Sequence, residues 1–66
     1  MNLGKSLTVA MAMKELSAND LADKMGCSRQ YISQMKNSNN WSGATISKFS
    51  HHLDIVASEF VKLGER

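Results

Sequence analysis

The chain has 66 residues, enough for one domain over residues 1–66, but a chain this short buries only about 60% of its unfolded surface, which excludes an enzyme-sized cleft. Hydrophobic residues make up 42% and charged residues 21%, which excludes a disordered chain, and the absence of Pro with only four Gly favours an all-α fold. The net charge of +2 is too small to indicate nucleic-acid binding by itself.

The first predicted helix covers residues 3–14 and has one apolar face. Leu3, Leu7, Ala10 and Met11 follow one another at spacings of four, three and one residues, which places them on one side of a helix. We expect this face to pack beneath the helices that follow.

The second predicted helix has a recognisable signal at each end. Ser17 is a candidate N-cap, and Asp20 can return a hydrogen bond to the Ser17 backbone N–H, as in a capping box. Leu21 and Met25 lie on the apolar side of this helix. Gly26 follows at the place where a helix ends with a positive φ.

A third helix is predicted to begin after Ser28, the next candidate N-cap, with Ile32 and Met35 facing inward. The second and third helices have about eight or nine residues each, with roughly three between them, which is typical of a helix-turn-helix unit. Ala22 allows these two helices to approach closely, because a larger side chain would push them apart.

Two further helices are predicted after a polar loop. The loop lies in the stretch NSNNWSGA, residues 37–44, which is rich in Asn, Ser and Gly, and the fourth helix begins at Ser42 or Gly43. Phe49 is the candidate central core residue, because a buried aromatic ring contributes the largest area. The fifth helix ends near Gly64, and Val56, Phe60 and Leu63 share one of its faces at spacings of four and three.

The segment from Ala18 onward resembles the DNA-binding domain of the phage repressor and Cro family, also called the Xre-like family. The chain has the apolar, small and glycine residues of the family's helix-turn-helix signature at Leu21, Ala22, Met25, Gly26, Cys27, Ile32 and Met35. With the flanking helices, the resemblance covers most of the chain. It implies a compact, lambda-repressor-like bundle of five short helices with the helix-turn-helix at its centre.

This resemblance also implies which residues read DNA. The second helix of a helix-turn-helix enters the major groove, and the family's base-reading positions fall on Arg29, Gln30, Ser33 and Gln34. Arg can bind guanine O6 and N7, Gln can bind adenine N6 and N7, and Ser can contact several base edges. The alternative is that these four are only solvated polar residues on a surface helix.

Phosphates would be held by small polar groups and helix N-termini around the groove. The candidates are Ser17, Asn19, Ser28, Tyr31, Lys36, Asn37, Ser38, Asn39 and Asn40. From Gly26 to Leu53 the chain has three bases and no acid, so positive potential is concentrated there. The family often has Arg or Lys in the loop that follows the third helix. This chain has mostly Asn there, which makes a dimer more necessary.

A dimer surface is expected in the C-terminal part of the chain. The candidates are Trp41, Ile55, Val56, Phe60, Val61 and Leu63. The alternative is that most of these side chains close the core of the monomer, and for Phe60 the two alternatives are evenly matched. Trp41 can cover the core, anchor a dimer or lie along the DNA backbone.

Other site chemistry is not indicated. His51 and His52 would point about 100° apart on a helix, so no metal site is expected, and Cys27 is interpreted as a small hydrophobic residue. No nucleophile is paired with a base, so we expect neither an enzyme nor a cofactor. No signal peptide, membrane span or effector-binding domain is expected, and a cytoplasmic, nucleoid-associated location in a prokaryotic cell or phage-infected host is the default.

The leading hypothesis is therefore a Cro-like transcription repressor that reads operator half-sites in double-stranded DNA as a homodimer, formed at least on the DNA. Two recognition helices are needed because one reads only a few base pairs. The alternative hypothesis is a helix-turn-helix protein-interaction module, such as an antitoxin or an inhibitor of a host protein.

Overall fold

The computed structural model of the chain describes residues 2–65, and all regular secondary structure in that range is α-helical. The helices are α1 (Leu3–Met13), α2 (Ala18–Met25), α3 (Arg29–Lys36), α4 (Gly43–His52) and α5 (Ala57–Leu63). The five-helix, all-α prediction is confirmed. Within the described range, no helix has the length and apolar composition that a membrane span requires.

The predicted ends of α2 are confirmed in detail. The Ser17 hydroxyl accepts a hydrogen bond from the Asp20 N–H at 3.1 Å, and the Asp20 carboxylate accepts one from the Ser17 N–H at 3.2 Å. Gly26 ends the helix in the left-handed region, with φ 71°. Ser28 and Ser42 cap α3 and α4 through their hydroxyl oxygens in the same way. Local sequence signals therefore set the boundaries of the helices around the turn.

The cap of α2 can be tested by substitution. We expect Ser17→Ala to lower the free energy of unfolding by about 1 kcal/mol, because the Asp20 N–H loses its acceptor. Ser17→Thr keeps a hydroxyl oxygen and should recover most of that loss. Urea unfolding of both variants measures the difference, and an unchanged free energy of unfolding for Ser17→Ala would show that the cap contributes nothing.

The core is built around two phenylalanine rings. Phe49 of α4 and Phe60 of α5 are both completely buried. Trp41 covers them, with ring centroids 4.8 Å from Phe49 and 5.6 Å from Phe60, and its Nε1–H donates to the Ser38 carbonyl oxygen at 2.9 Å. The predicted inner face of α1 is confirmed, since its four apolar residues are all buried. Of the roles considered for Trp41, covering the core is the one that the structure shows.

The prediction that Val56 lies on the apolar face of α5 is wrong. Asp54 adopts φ 58°, and the chain turns there before α5 begins at Ala57. Val56 is the N-cap residue of α5 and is 69% exposed, whereas Phe60 and Leu63 are buried. The turn places Val56 outside the helix, so the spacing of four no longer brings it onto the buried face.

The start of α1 lies directly against the end of α3. A Cβ atom on Gly4 would overlap the Lys36 carbonyl oxygen and lie 3.2 Å from the Ser38 carbonyl oxygen. The Gly4 N–H donates to Asn39 Oδ1 at 3.3 Å, which ties α1 to the loop after α3. This contact positions the C-terminal end of α3, and no local pattern in the sequence predicts it.

Candidate nucleic-acid interface

The turn between α2 and α3 is closely packed. Gly26 reverses the chain, and the Cys27 N–H donates to the Ala22 carbonyl oxygen at 2.9 Å. Ala22 is buried with 4% exposure, so a small side chain lies where the two helices approach each other. Cys27 is partly buried against the core, in agreement with its interpretation as a small hydrophobic residue.

One face of α3 is anchored in the core. Ile32 is completely buried, and Met35 packs against the core from the same side of the helix. The Tyr31 ring is stacked against Phe49, with centroids 6.1 Å apart and an interplanar angle of 20°. These contacts fix the rotation of α3 about its axis and therefore decide which residues it presents to solvent.

The opposite face of α3 carries the four predicted base-reading residues, and all four are exposed: Arg29, Gln30, Ser33 and Gln34. Within residues 2–65, none of these side chains makes a hydrogen bond or an ion pair. Their donors and acceptors are therefore available to base edges.

The phosphate candidates fall into two groups. Ser17 and Ser28 cap helices by accepting hydrogen bonds, so each hydroxyl hydrogen is still available to a phosphate, and Asn19 is exposed beside Ser17. Tyr31 is partly buried against Phe49.

The second group follows α3, and part of it also holds the loop together. Asn37 Nδ2 donates to the Ser33 carbonyl oxygen at 3.1 Å, and the Ser38 hydroxyl accepts from the Asn40 N–H at 3.2 Å. Asn39 accepts from the Gly4 N–H, which leaves its side-chain NH₂ group for another acceptor. The Asn and Ser side chains that predicted a loop therefore also stabilise this loop through their hydrogen bonds.

The charged residues within α1 and α3 are all basic. Helices α1 and α3 together contain Lys5, Arg29 and Lys36 and no acid. The one ion pair formed among residues 2–65 joins Lys62 and Glu59 of α5 at 3.9 Å, with both side chains mostly exposed. Arg29 and Lys36 of α3 therefore form no ion pair with a described residue, and the nearest acidic helix is α2, which carries Asp20 and Asp23.

The described surface includes two open recesses that lie next to helices of the candidate site and of the C-terminal part. One, of about 230 Å³, separates α1 from α3 and is lined by Thr8, Ser33, Lys36 and Asn37. The other, of about 240 Å³, lies at the corner between α4 and α5 and is lined by Ser50, His51, Asp54, Ile55 and Val56. Sequence reasoning did not place Thr8 at any site, because only the packing of α1 on α3 brings it there.

The dimer candidates divide by exposure. Phe60 and Leu63 have 0% and 2% exposure, which corrects their assignment to a dimer surface: both side chains lie in the monomer core and have no area to offer a partner. Val56 is exposed, and the remaining candidates are partly buried: Trp41, Ile55 and Val61. An apolar surface therefore remains at Ile55 and Val56, beside the recess between α4 and α5.

The two histidines of the chain are neighbours at the end of α4. No group of three or more His, Cys, Asp or Glu residues in this range could hold a metal ion. The rings of His51 and His52 meet edge to face with centroids 5.5 Å apart.

Comparison with known proteins extends the helix-turn-helix assignment to nearly the whole chain. A family model described as a Cro/C1-type HTH DNA-binding domain matches residues 6–63. The matched range begins within α1 and ends with the last residue of α5, so it includes most of α1 and the whole of α2 to α5. A search of curated proteins finds no match.

Proposed function

The chain belongs to the Cro/C1-type helix-turn-helix DNA-binding family, and we propose that it is a Cro-like repressor that binds operator half-sites in the major groove as a homodimer. The observation that supports this most strongly is the arrangement of α3. One face is fixed in the core by Ile32 and Tyr31, while the opposite face presents unpaired polar side chains. A repressor of this kind occupies the operator and blocks polymerase.

Base recognition is assigned to the exposed face of α3. Arg29 suits guanine, whose O6 and N7 atoms accept two hydrogen bonds from a guanidinium group, and Gln30 and Gln34 suit adenine N6 and N7. Ser33 belongs to the same exposed face, with a hydroxyl that suits several partners. Each good bidentate contact discriminates by about 1–3 kcal/mol against the wrong base.

A homodimer supplies the specificity that one α3 helix lacks. Two half-sites on successive major grooves lie about 34 Å apart. The protein measures 26 × 21 × 18 Å, so two adjacent copies are large enough to span that distance. Ile55 and Val56 are the proposed centre of the dimer surface. Trp41 and Val61 are further candidates for this surface. The exposed apolar area is small, so we propose that DNA assists pairing by holding two copies close together.

Sequence selection tests this proposal directly. Bound duplexes selected from a random pool should converge on a palindrome, which would report both base preference and dimer geometry. In mobility-shift assays the affinity should fall steeply as salt rises, because phosphate contacts release counterions. Negligible binding to every duplex would refute DNA recognition and favour the alternative of a protein-interaction module, such as an antitoxin. The proposed place of action is the nucleoid of a prokaryotic cell or phage-infected host.

Substitution of Arg29 tests the reading face. We expect Arg29→Ala to weaken binding to the selected operator by about 1–3 kcal/mol, or roughly 5- to 150-fold, with a much smaller effect on random DNA. Lys36→Ala is the comparison, since a phosphate contact should weaken both kinds of duplex similarly. Equal losses of operator and random binding for Arg29→Ala would show that the base-reading face lies elsewhere.

A further inference from the structure

The corner between α4 and α5 repeats the backbone geometry of the corner between α1 and α2. In each corner a residue with positive φ, 55° at Glu15 and 58° at Asp54, follows the first helix. An N-cap residue then precedes the second helix, Ser17 in one corner and Val56 in the other. Ser17 accepts a hydrogen bond from its helix, whereas Val56 makes no side-chain cap and is 69% exposed. Valine is a poor N-cap, so the stability of the monomer does not explain Val56.

Val56 borders a recess that also contains an imidazole and a carboxylate. This recess, here called the α4–α5 recess, has a volume of about 240 Å³ and is lined by Ser50, His51, Asp54, Ile55 and Val56. The Asp54 N–H donates to the His51 carbonyl oxygen at 3.2 Å, so the two side chains start from one turn of the backbone. Both residues are exposed. The Ser50 hydroxyl donates to the Ser47 carbonyl oxygen at 3.0 Å and forms part of the wall.

The polar atoms of His51 and Asp54 are available to a ligand. Within residues 2–65, neither side chain makes a hydrogen bond or an ion pair. A neutral imidazole nitrogen and a carboxylate oxygen are both zinc ligands. One chain supplies too few of them, because no three His, Cys, Asp or Glu residues in the described range could hold a metal ion together. The α4–α5 recess therefore offers half of a four-ligand site.

A second copy of the chain supplies the other half. In a two-fold symmetric dimer the same patch of each copy meets its equivalent, so every residue near the axis occurs twice. Two copies of His51 and Asp54 give four ligands, the number that zinc binds in a tetrahedral structural site. The two carboxylates also balance the two positive charges of the ion.

Apolar contact alone is a weak basis for this pairing. A stable interface buries about 800 Å² on each partner, which is about one fifth of the 3975 Å² surface of this protein. Met13 and Val56 are the exposed large hydrophobic residues within residues 2–65, and of these two Val56 lines the recess. A bound ion adds four bonds between the copies without requiring a larger apolar area.

We propose that the α4–α5 recess is half of a zinc site, which is completed when two copies of the chain meet. His51 and Asp54 of both copies are its four ligands, and Val56 of each copy packs beside the ion. Zinc thereby promotes dimer formation and raises the affinity for paired half-sites. The effect on DNA rests on the proposed function, whereas the zinc-dependent dimer forms without DNA.

Sedimentation velocity with zinc chloride, in the absence of DNA, tests the site. The wild-type protein should be mainly monomeric in EDTA and should become dimeric as zinc is added, with saturation at one ion for two chains. Magnesium chloride should have no such effect, because magnesium prefers an octahedral set of oxygen ligands. A monomer at every zinc concentration, or one bound ion per chain without a dimer, would overturn the proposal.

Substitutions identify the ligands. His51→Gln and Asp54→Asn should each raise the zinc concentration needed for half-maximal dimerisation by about ten-fold or more. Both residues are exposed, and asparagine tolerates the positive φ at position 54, so circular dichroism should show an unchanged fold. His52→Gln is the matched control, since it removes the neighbouring histidine and should leave the zinc response unchanged. Equal losses in His51→Gln and His52→Gln, or no loss in Asp54→Asn, would contradict this ligand set.

Mobility-shift assays in zinc and in EDTA separate this inference from the proposed function. Zinc should raise the affinity of the wild-type protein for the selected palindrome and should have little effect on His51→Gln. If zinc produces a dimer that binds no duplex, the repressor proposal fails and the zinc site stands. If the operator is bound equally in zinc and in EDTA and zinc produces no dimer, the zinc site is refuted and the repressor proposal stands.

Discussion

Phe49→Ala is expected to lower the free energy of unfolding by about 3–5 kcal/mol. The Phe49 ring is completely buried, and it joins α3 to the rest of the core through its stacking with Tyr31 and its contact with Trp41. Removing it leaves a cavity beside Tyr31 and Trp41 that the surrounding core fills only in part. A domain of this size has a total stability of roughly 5–8 kcal/mol, so a large fraction of the molecules would be unfolded at modest urea concentrations.

Urea unfolding followed by circular dichroism measures this loss. Met13→Ala is the matched control, because Met13 is 55% exposed and its truncation should change the stability by no more than about 0.5 kcal/mol. Similar unfolding midpoints for Phe49→Ala and Met13→Ala would contradict the central place of Phe49 in the core.

Gly4→Ala is the second change with a large expected effect. The added Cβ would overlap the backbone carbonyl oxygen of Lys36, which cannot turn aside as the end of a flexible side chain could. We expect a loss of about 1–3 kcal/mol in stability. The end of α3 must also shift, so DNA affinity should fall for operator and random duplexes, because the displaced groups include the phosphate donors proposed at Lys36 and Asn37.

Gly43→Ala provides the control for this substitution. A Cβ at Gly43 meets no atom within 4 Å, and Gly43 is the first residue of α4, where Ala favours the helix. Its stability should stay the same or rise by about 0.4–1 kcal/mol. Thermal unfolding measures the stability of both variants, and mobility-shift assays measure their affinity for DNA. An equal loss of stability in Gly4→Ala and Gly43→Ala would mean that the close contact of α1 with α3 is not the reason why position 4 requires glycine.

Much of the fold was predictable because its signals are local. The cap at Ser17, the reversal at Gly26 and the inward positions of α1 depend on residues within one or two helical turns. The helix-turn-helix was predicted from the same local spacing, and the exposed face of α3 follows once Ile32 is known to point inward. These features therefore do not depend on contacts with distant parts of the chain.

Other features depend on contacts between distant segments. Gly4 and Asn39 are 35 residues apart, and neither the contact nor its effect on α3 can be read from spacing. The exposure of Val56 depends on the positive φ of Asp54, a conformation that an Asp residue permits but does not require. The recess between α1 and α3 likewise exists only because Thr8 of α1 comes to lie beside Ser33. The sequence therefore indicates the exposed face of α3, whereas the rest of the candidate site depends on tertiary packing.

The position of Trp41 gives the protein its own optical reporter. It is the one tryptophan of the chain, its ring lies on Phe49 and Phe60, and its indole N–H is bound to the loop that follows α3. A single emission signal is therefore sensitive at once to solvent entry into the core and to movement of that loop. Quenching by a neutral solute and a shift in emission wavelength could then distinguish loosening of the loop from global unfolding, without attaching a dye.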